Sequence, residues 1–347
     1  MNIDYYKLYD IDYYEDFSRF IKFFDDIKDD KFDIEEVLPD HLIERFKRHL
    51  EEKKSDLESR DDNFKYLSLY ELHNFLFESL EAARVDLLAF KAFIEIEKNE
   101  SIISNLKSFK MKNSFCKKVI YERCNNVTGR LVVKEGPRIL TLPSRYRSIL
   151  KSRFDEGEIY SIDFSALEPR ITAKLSGVET KKDIYEEILN LLSFNADRSI
   201  IKKAVISSIY GANYTSLEGL SLERSKEIFD QINKYFDFKK ILEISSNIDE
   251  IGIRRNYFGR PLWNLSEKRE NVLINNYIQS TAVDISLTYF TNLIKKINFA
   301  KPLFILHDAL IIDLDQKDYD VVRNEVDSGY NDSKLGYFPL KLEKFNI

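Results

Sequence analysis

The sequence predicts an α+β fold, and three observations carry that prediction. Across residues 41–110 apolar side chains recur every three or four positions: Leu42, Ile43, Phe46 and Leu50, then Leu67, Leu69, Leu72, Phe75 and Leu76, then Val85, Leu87, Leu88, Phe90 and Phe93. That is the period of about three amphipathic helices. From about residue 115 short β-type runs (RLVV, RILTL, EIYSIDF) are broken by Gly129, Gly136, Pro137 and Pro143. Towards the C-terminus PLFILHDALIIDLD reads as two strands meeting at His307 and Asp308.

The remaining elements follow from the same signals. DDNFKYLSLYELHNFL contains a turn and a helix start near Asp62 and Ser68. Helical texture returns after Leu167 and runs to about 248. IRRNYFGRPLWN reads as a hairpin turning near Phe258 and Gly259, and a further helix covers roughly 267–296. No internal repeat or Pro/Ser-rich hinge interrupts the chain, so its subdomains are expected to pack continuously.

At 347 residues the chain can bury a sizeable core, and 44% hydrophobic with 32% charged residues is the composition of a soluble globular protein. Cys116 and Cys124 cannot build a disulfide framework, and no C-x-x-C pair suggests a zinc site. The first residues lack a basic start and an apolar signal core, and no run approaches the ~18 apolar residues of a membrane span. The expected location is the cytoplasm, with no membrane partner.

The net charge of −6 disfavours nucleic acid as a partner of the chain as a whole, but binding responds to local charge. Between Ser101 and Arg153 thirteen basic residues face only Glu122 and Glu135. Residues 1–40 are acidic instead. Such a run is ordinarily a solvated face or tail; a docking surface for a partner is the alternative.

Asp163 and Asp308 each follow an apolar run that reads as a buried strand. A carboxylate there can merely start a turn or cap a helix. Two such carboxylates on adjacent strands would instead make a rigid site for a hard divalent cation such as Mg²⁺. RSIIKKAVISSIYGA spaces Arg198, Lys202, Ile206 and Tyr210 at steps of four, along one drifting stripe of a helix. The plain reading is an amphipathic helix with two basic residues on its wet side. The alternative is a nucleoside triphosphate site, with cations for phosphate, an apolar contact for the sugar and an aromatic ring near the base.

Taken together these segments resemble family A (DNA polymerase I-like) DNA polymerases. SIDFSALEPRITAKLSG resembles the first catalytic motif, usually DYSQIELR before a helix ending LSG. RSIIKKAVISSIYG resembles the fingers helix, R-x3-K-x7-YG, and FILHDALII the VHDE turn between two strands. TGRL at 128–131, NYIQSTAVD at 276–284 and the ending GYFPLKLE are weaker matches in the right order. The resemblance covers about two thirds of the chain, from about 120 to 345.

The resemblance implies a right-hand fold with an antiparallel-sheet palm, helical fingers and a helical thumb. The acidic segment would occupy 1–40, a thumb-like region 41–115, and the palm 116–347, with fingers inserted at about 175–250 and palm strands around 159–164 and 302–314. Asp163 and Asp308, with the backbone carbonyl of Phe164, would hold two Mg²⁺ ions, Mn²⁺ being an alternative. Arg198 and Lys202 would hold the triphosphate, with Lys202 donating a proton to pyrophosphate. Ile206 and Tyr210 would face the nascent pair and Glu168 would lie beneath the sugar. Arg130, Asn275, Gln279 and His307 would touch primer and template. The partners implied are primer-template DNA and dNTPs, with a replication protein as the partner a docking surface at 1–40 would take; the basic stretch would lie against the duplex, and the cytoplasmic location would be a nucleoid or a viral replication site.

Three departures qualify the resemblance. Ala309 stands where the family usually has Glu. Ile206 replaces an aromatic residue that packs on the sugar, as a non-aromatic residue does in the related single-subunit phage RNA polymerases. About 115 residues precede the matched region, too few for a 3′-5′ exonuclease domain, so proofreading is expected to be absent. The expected activity is template-dependent DNA synthesis. The alternatives are sugar-relaxed or RNA synthesis on the same fold, and a non-catalytic primer-template binding subunit.

Overall fold

The computed structural model describes residues 39–345, except for 60, 125, 181–182, 213–215, 251 and 264–268. All but the last two residues of the acidic 1–40 segment therefore lie outside the described residues. The opening helical block contains four helices where periodicity predicted three: α1 (Asp40–Glu58), α2 (Asp61–Ser79), α3 (Leu87–Ile96) and α4 (Glu100–Lys107). A side-chain cap opens each of α3 and α4. Asp86 accepts from Leu88 and Ala89 backbone amides, and Asn99 accepts from those of Ser101 and Ile102, satisfying donors that a helix start leaves bare. Ser68, predicted as a start, lies inside α2.

The RILTL run is not a strand. Ile139–Thr141 forms a short 3₁₀ turn between Pro137 and Pro143, and neither proline has an amide to give a ladder. EIYSIDF and PLFILHDALIIDLD do form strands: β1 (Gly157–Phe164), β2 (Lys301–Leu306) and β3 (Ala309–Asp315). With β4 (Leu340–Lys344) they build one sheet in the order β2-β3-β1-β4. All sheets among the described residues are antiparallel, so no α/β domain of the kind an exonuclease would need is present there.

Helices α5 (Leu167–Leu175), α6 (Ile184–Leu189), α7 (Arg198–Ile209), α8 (Leu222–Tyr235) and α9 (Phe238–Ser246) follow β1. The predicted hairpin forms between 254–255 and 261–262. Beyond it α10 (Glu270–Lys296) runs 27 residues, most of them buried. Phe164 of β1 packs on it, with ring centroids 5.5 Å from Tyr289 and 5.7 Å from Phe290. Helix α11 (Tyr319–Asp327) joins β3 to the C-terminal strands. No described helix is long and apolar enough to cross a membrane.

One buried ion pair ties three distant segments together. Asp284 of α10 is 0% exposed and accepts from Arg260 Nη2 at 2.8 Å and Nε at 3.1 Å. Asn256 Nδ2 donates to the same carboxylate at 2.7 Å, and the Tyr66 hydroxyl of α2 at 3.2 Å. Burial alone would weaken proton binding by Arg260, but Asp284 outweighs it and raises the pKa well above the ordinary value. Gly129 lies against this guanidinium: a Cβ there would sit 2.2 Å from Arg260 Nη1, and φ is +71°. Only glycine fits such a close approach at positive φ, and the turn it makes carries Arg130 out towards the sheet end.

Removing one partner of a buried pair strands the other charge, which costs ~3–5 kcal/mol, whereas exposed pairs contribute under ~1 kcal/mol. Asp284→Ala is therefore expected to lower unfolding free energy by ~3–5 kcal/mol in urea denaturation. Glu325→Ala, which breaks the exposed Lys296–Glu325 pair, should change it by less than ~1 kcal/mol.

Candidate active site

Asp163 and Asp308 meet at one end of the main sheet. Ala309 pairs with Asp163 in the β3–β1 register, and the Phe164 amide donates to the Asp308 carbonyl at 3.4 Å. His307, at φ 55°, makes the left-handed step that closes the β2–β3 hairpin. The two carboxylates therefore share one floor, the rim of a cleft of about 800 Å³. Asp163 opens onto this cleft, yet protein strips water from much of its carboxylate, and Asp308 and Glu343 add repulsion. Its pKa rises from 3.8 to about 7, against the opposing pull of Lys202 and Lys341. Asp308 is also raised, chiefly by burial.

Helix α7 forms the facing wall. Asp197 caps it by accepting from the Ser199 amide at 2.7 Å. Ile201, Ala204, Val205, Ser208 and Ile209 are buried on one side, which turns the predicted stripe, Arg198, Lys202, Ile206 and Tyr210, into the cleft. The helix ends at Tyr210. Gly211 follows at φ +82°, where a Cβ would collide with Asn271.

Glu168, in the first turn of α5, accepts from Arg130 Nη2 at 3.1 Å and from the Tyr210 hydroxyl at 3.1 Å. Arg130 Nη2 also donates to the Tyr210 oxygen at 3.0 Å. Burial raises the Glu168 pKa in spite of these two partners. Gln279 of α10 lines the cleft and donates from Nε2 to Asn275 Oδ1, one turn earlier, at 2.5 Å. Phe164, Ile206 and His307 line the cleft as well; Asn275 does not.

The structure adds side chains that spacing did not reveal. Arg198 donates from Nε to Asp183 Oδ2 at 2.9 Å, and its guanidinium lies 4.9 Å from the Tyr185 ring centroid. Asp183 was legible only as an acidic cap before IYEEIL; nothing local links it to a residue fifteen positions on. Lys341 pairs directly with Asp163 across β4 and β1, and Glu343 follows two residues later on the same strand face.

A family-wide sequence model described as DNA polymerase family A matches residues 39–343. The chain belongs to that family. Among solved structures it is similar to the "POL domain of Pol1 from M. smegmatis complex with DNA primer-template and dNTP", with a TM-score of 0.57 and 17% identity. The match covers 71% of this chain and 51% of that one, so this family A polymerase chain spans about half the length of the structure it matches. No curated protein matches it.

In the polymerase chain several basic residues of the 107–153 stretch, expected to lie against a duplex, also pair with carboxylates of the fold. Arg153 pairs with Asp313 at 3.2 Å and with Glu81, Arg145 with Glu97 at 3.2 Å, Lys117 with Glu135 at 2.5 Å and Lys151 with Asp86 at 3.6 Å. Arg123 is buried over the Tyr70 ring, 3.5 Å from its centroid. Glu81, Asp86, Glu97 and Asp313 lie outside the stretch, at least 48 residues from their partners, whereas Glu135 belongs to it. Lys107, Lys110, Lys112, Lys134 and Arg138 remain exposed.

Asp308→Asn removes a like charge beside Asp163, so the Asp163 pKa should fall below about 7 in a ¹³C carboxyl titration of metal-free protein. Because folded Asp163 binds its proton more tightly than the unfolded chain does, its contribution favours folding below the ordinary value of 3.8 and is lost as pH rises to about 7. The slope of stability with pH across that window should therefore be shallower in Asp308→Asn.

Proposed function

We propose that this family A polymerase chain is a template-dependent DNA polymerase that extends a primer 3′ end with dNTPs. The observation that carries this reading is the single cleft that gathers Asp163, Asp308, Glu168 and the Arg198–Lys202–Ile206–Tyr210 stripe. The chain would then divide into a thumb-like region at 41–115 and a palm at 116–347 with fingers at about 175–250.

The donor set fits a divalent cation. Burial raises the proton affinity of both carboxylates, and Asp308 adds repulsion at Asp163, so the pair carries poorly solvated negative charge that a cation would relieve. Magnesium is commonly held by one or two carboxylates, with substrate phosphates filling the shell. Asp163, Asp308 and the Phe164 carbonyl would hold it. Bound there, the metal supplies Lewis-acid activation of the primer hydroxyl and neutralises phosphate charge.

The chain's own groups do the rest. Arg198 and Lys202 receive the triphosphate, and Lys202, whose charge already acts on both aspartates, gives a proton to departing pyrophosphate. Glu168, held by Arg130 and Tyr210, lies beneath the sugar. Arg130, Gln279, Asn275 and His307 contact primer and template, where minor-groove acceptors test pair shape without reading sequence. The exposed lysines of 107–134 add salt-sensitive affinity for duplex phosphates.

Primer extension with separate dNTP and rNTP lanes tests the reading. Asp163→Ala and Asp308→Ala should each cut extension by at least about 10²–10³-fold, the scale of losing one preorganised electrostatic group. Extension at the wild-type rate by either variant would sink the mechanism.

A second reading, relaxed sugar selection, is favoured by Ile206, a partly buried aliphatic side chain in the cleft that also holds Glu168. A branched aliphatic chain offers less flat surface to a ribose ring than an aromatic one. Ile206→Phe should then raise the dNTP over rNTP preference by about tenfold, the range one apolar contact supports. Competition between the two nucleotides at one template position measures it.

A further inference from the structure

We propose that Asp183 is a displaceable anion that occupies Arg198 in place of a nucleotide's phosphate, and so sets how tightly the triphosphate binds. The inference rests on the reading of Arg198 as a triphosphate ligand. Two donors of the guanidinium, Nε at 2.9 Å and Nη2, converge on Asp183 Oδ2. The other oxygen, Oδ1, accepts from the Tyr185 amide at 2.9 Å. Asp183, Tyr185, Arg198 and Lys202 all line the cleft.

An Arg fork presents N–H groups in one plane, matched to a carboxylate or a phosphate. Donors already directed at Asp183 cannot be directed at a phosphate oxygen as well, so binding there is an exchange of anions. The exchange is uneven. The Arg198 and Asp183 side chains are 48% and 30% exposed, and an ion pair so open to water contributes little. A triphosphate brings several charges and meets Lys202 at the same time.

The surroundings suit a carboxylate that lets go. Burial would raise the Asp183 pKa, but Arg198 and the Tyr185 amide outweigh it and keep the group ionised. After release the cap bond to Tyr185 still anchors it, and Arg170, which feels its charge, stands nearby with bonds to the Ser165 carbonyl at 3.0 Å and the Thr180 hydroxyl at 3.1 Å. The Tyr185 ring stays beneath the guanidinium, so Arg198 keeps its seat when its anion changes. A purely structural Asp183 would act in the opposite sense, because its loss would free Arg198 to wander and weaken nucleotide binding.

The test uses the full chain on a dideoxy-terminated primer-template, titrated to equilibrium with the complementary dNTP. Asp183→Asn and Asp183→Ser both keep a side-chain helix cap while removing the charge. Each should tighten dNTP binding by about two- to fivefold, the range of an exposed ion pair, and lower the nucleotide KM in extension. In an Arg198→Ala background, itself weaker in dNTP binding, the same substitutions should leave affinity unmoved. Unchanged or weaker binding in both single variants, with Arg198→Ala weakened, would overturn the exchange and leave the triphosphate reading standing. If Arg198→Ala binds dNTP as well as wild type, the triphosphate reading fails and the exchange with it.

Discussion

The antiparallel pairing that sets Asp163 opposite Ala309 holds two carboxylates at one end of a buried sheet, and the cleft is organised around their repulsion. Strand β1 is bonded on both sides, to β3 and to β4, so Asp163 cannot relax away from Asp308 without breaking a ladder. A slip of one residue would turn its side chain to the opposite face. The left-handed step at His307 and the aromatic packing of Phe164 on α10 resist that slip. The raised proton affinity of both aspartates follows first from lost water, and at Asp163 also from the enforced proximity of Asp308.

A second constraint sets what faces the sheet end. The Arg260–Asp284 pair joins the 254–262 hairpin to α10, and Tyr66 adds α2. Gly129 rests on the Arg260 guanidinium, so the turn that presents Arg130 is seated on a fully buried charge network. From there Arg130 reaches Glu168 and Tyr210, linking α5 to the far end of α7. A structural ion pair and a cleft network are thus two ends of one connected set of contacts.

Several cationic and acidic groups of the cleft already satisfy one another. Arg130 is held by Glu168, Arg198 by Asp183, and Lys202 acts on both aspartates. A ligand entering such a site exchanges partners with existing pairs, and its net affinity is a difference between two sets of charge-assisted bonds. The same economy governs the basic stretch at 107–153, where much of the local charge excess is neutralised by carboxylates from other elements.

The strands that carry Asp163 and Asp308, the α7 stripe and the hairpin near Phe258 were legible in the sequence, because each is a local pattern of hydrophobic period or turn chemistry. Local pattern also misled: RILTL looks like a strand until Pro137 and Pro143 turn it into a 3₁₀ segment, and Ser68 resembles a helix start although α2 begins at Asp61. The sequence alone determined which residue types stand at the sheet end and along the helix face, since periods of two and 3.6 follow from backbone geometry. The tertiary structure decided which charges meet. Asp183 with Arg198, Glu168 with Arg130 and Tyr210, and Asp284 with Arg260 are separated by 15 to 42 residues, and only the packing of whole elements brings such groups within reach of one another.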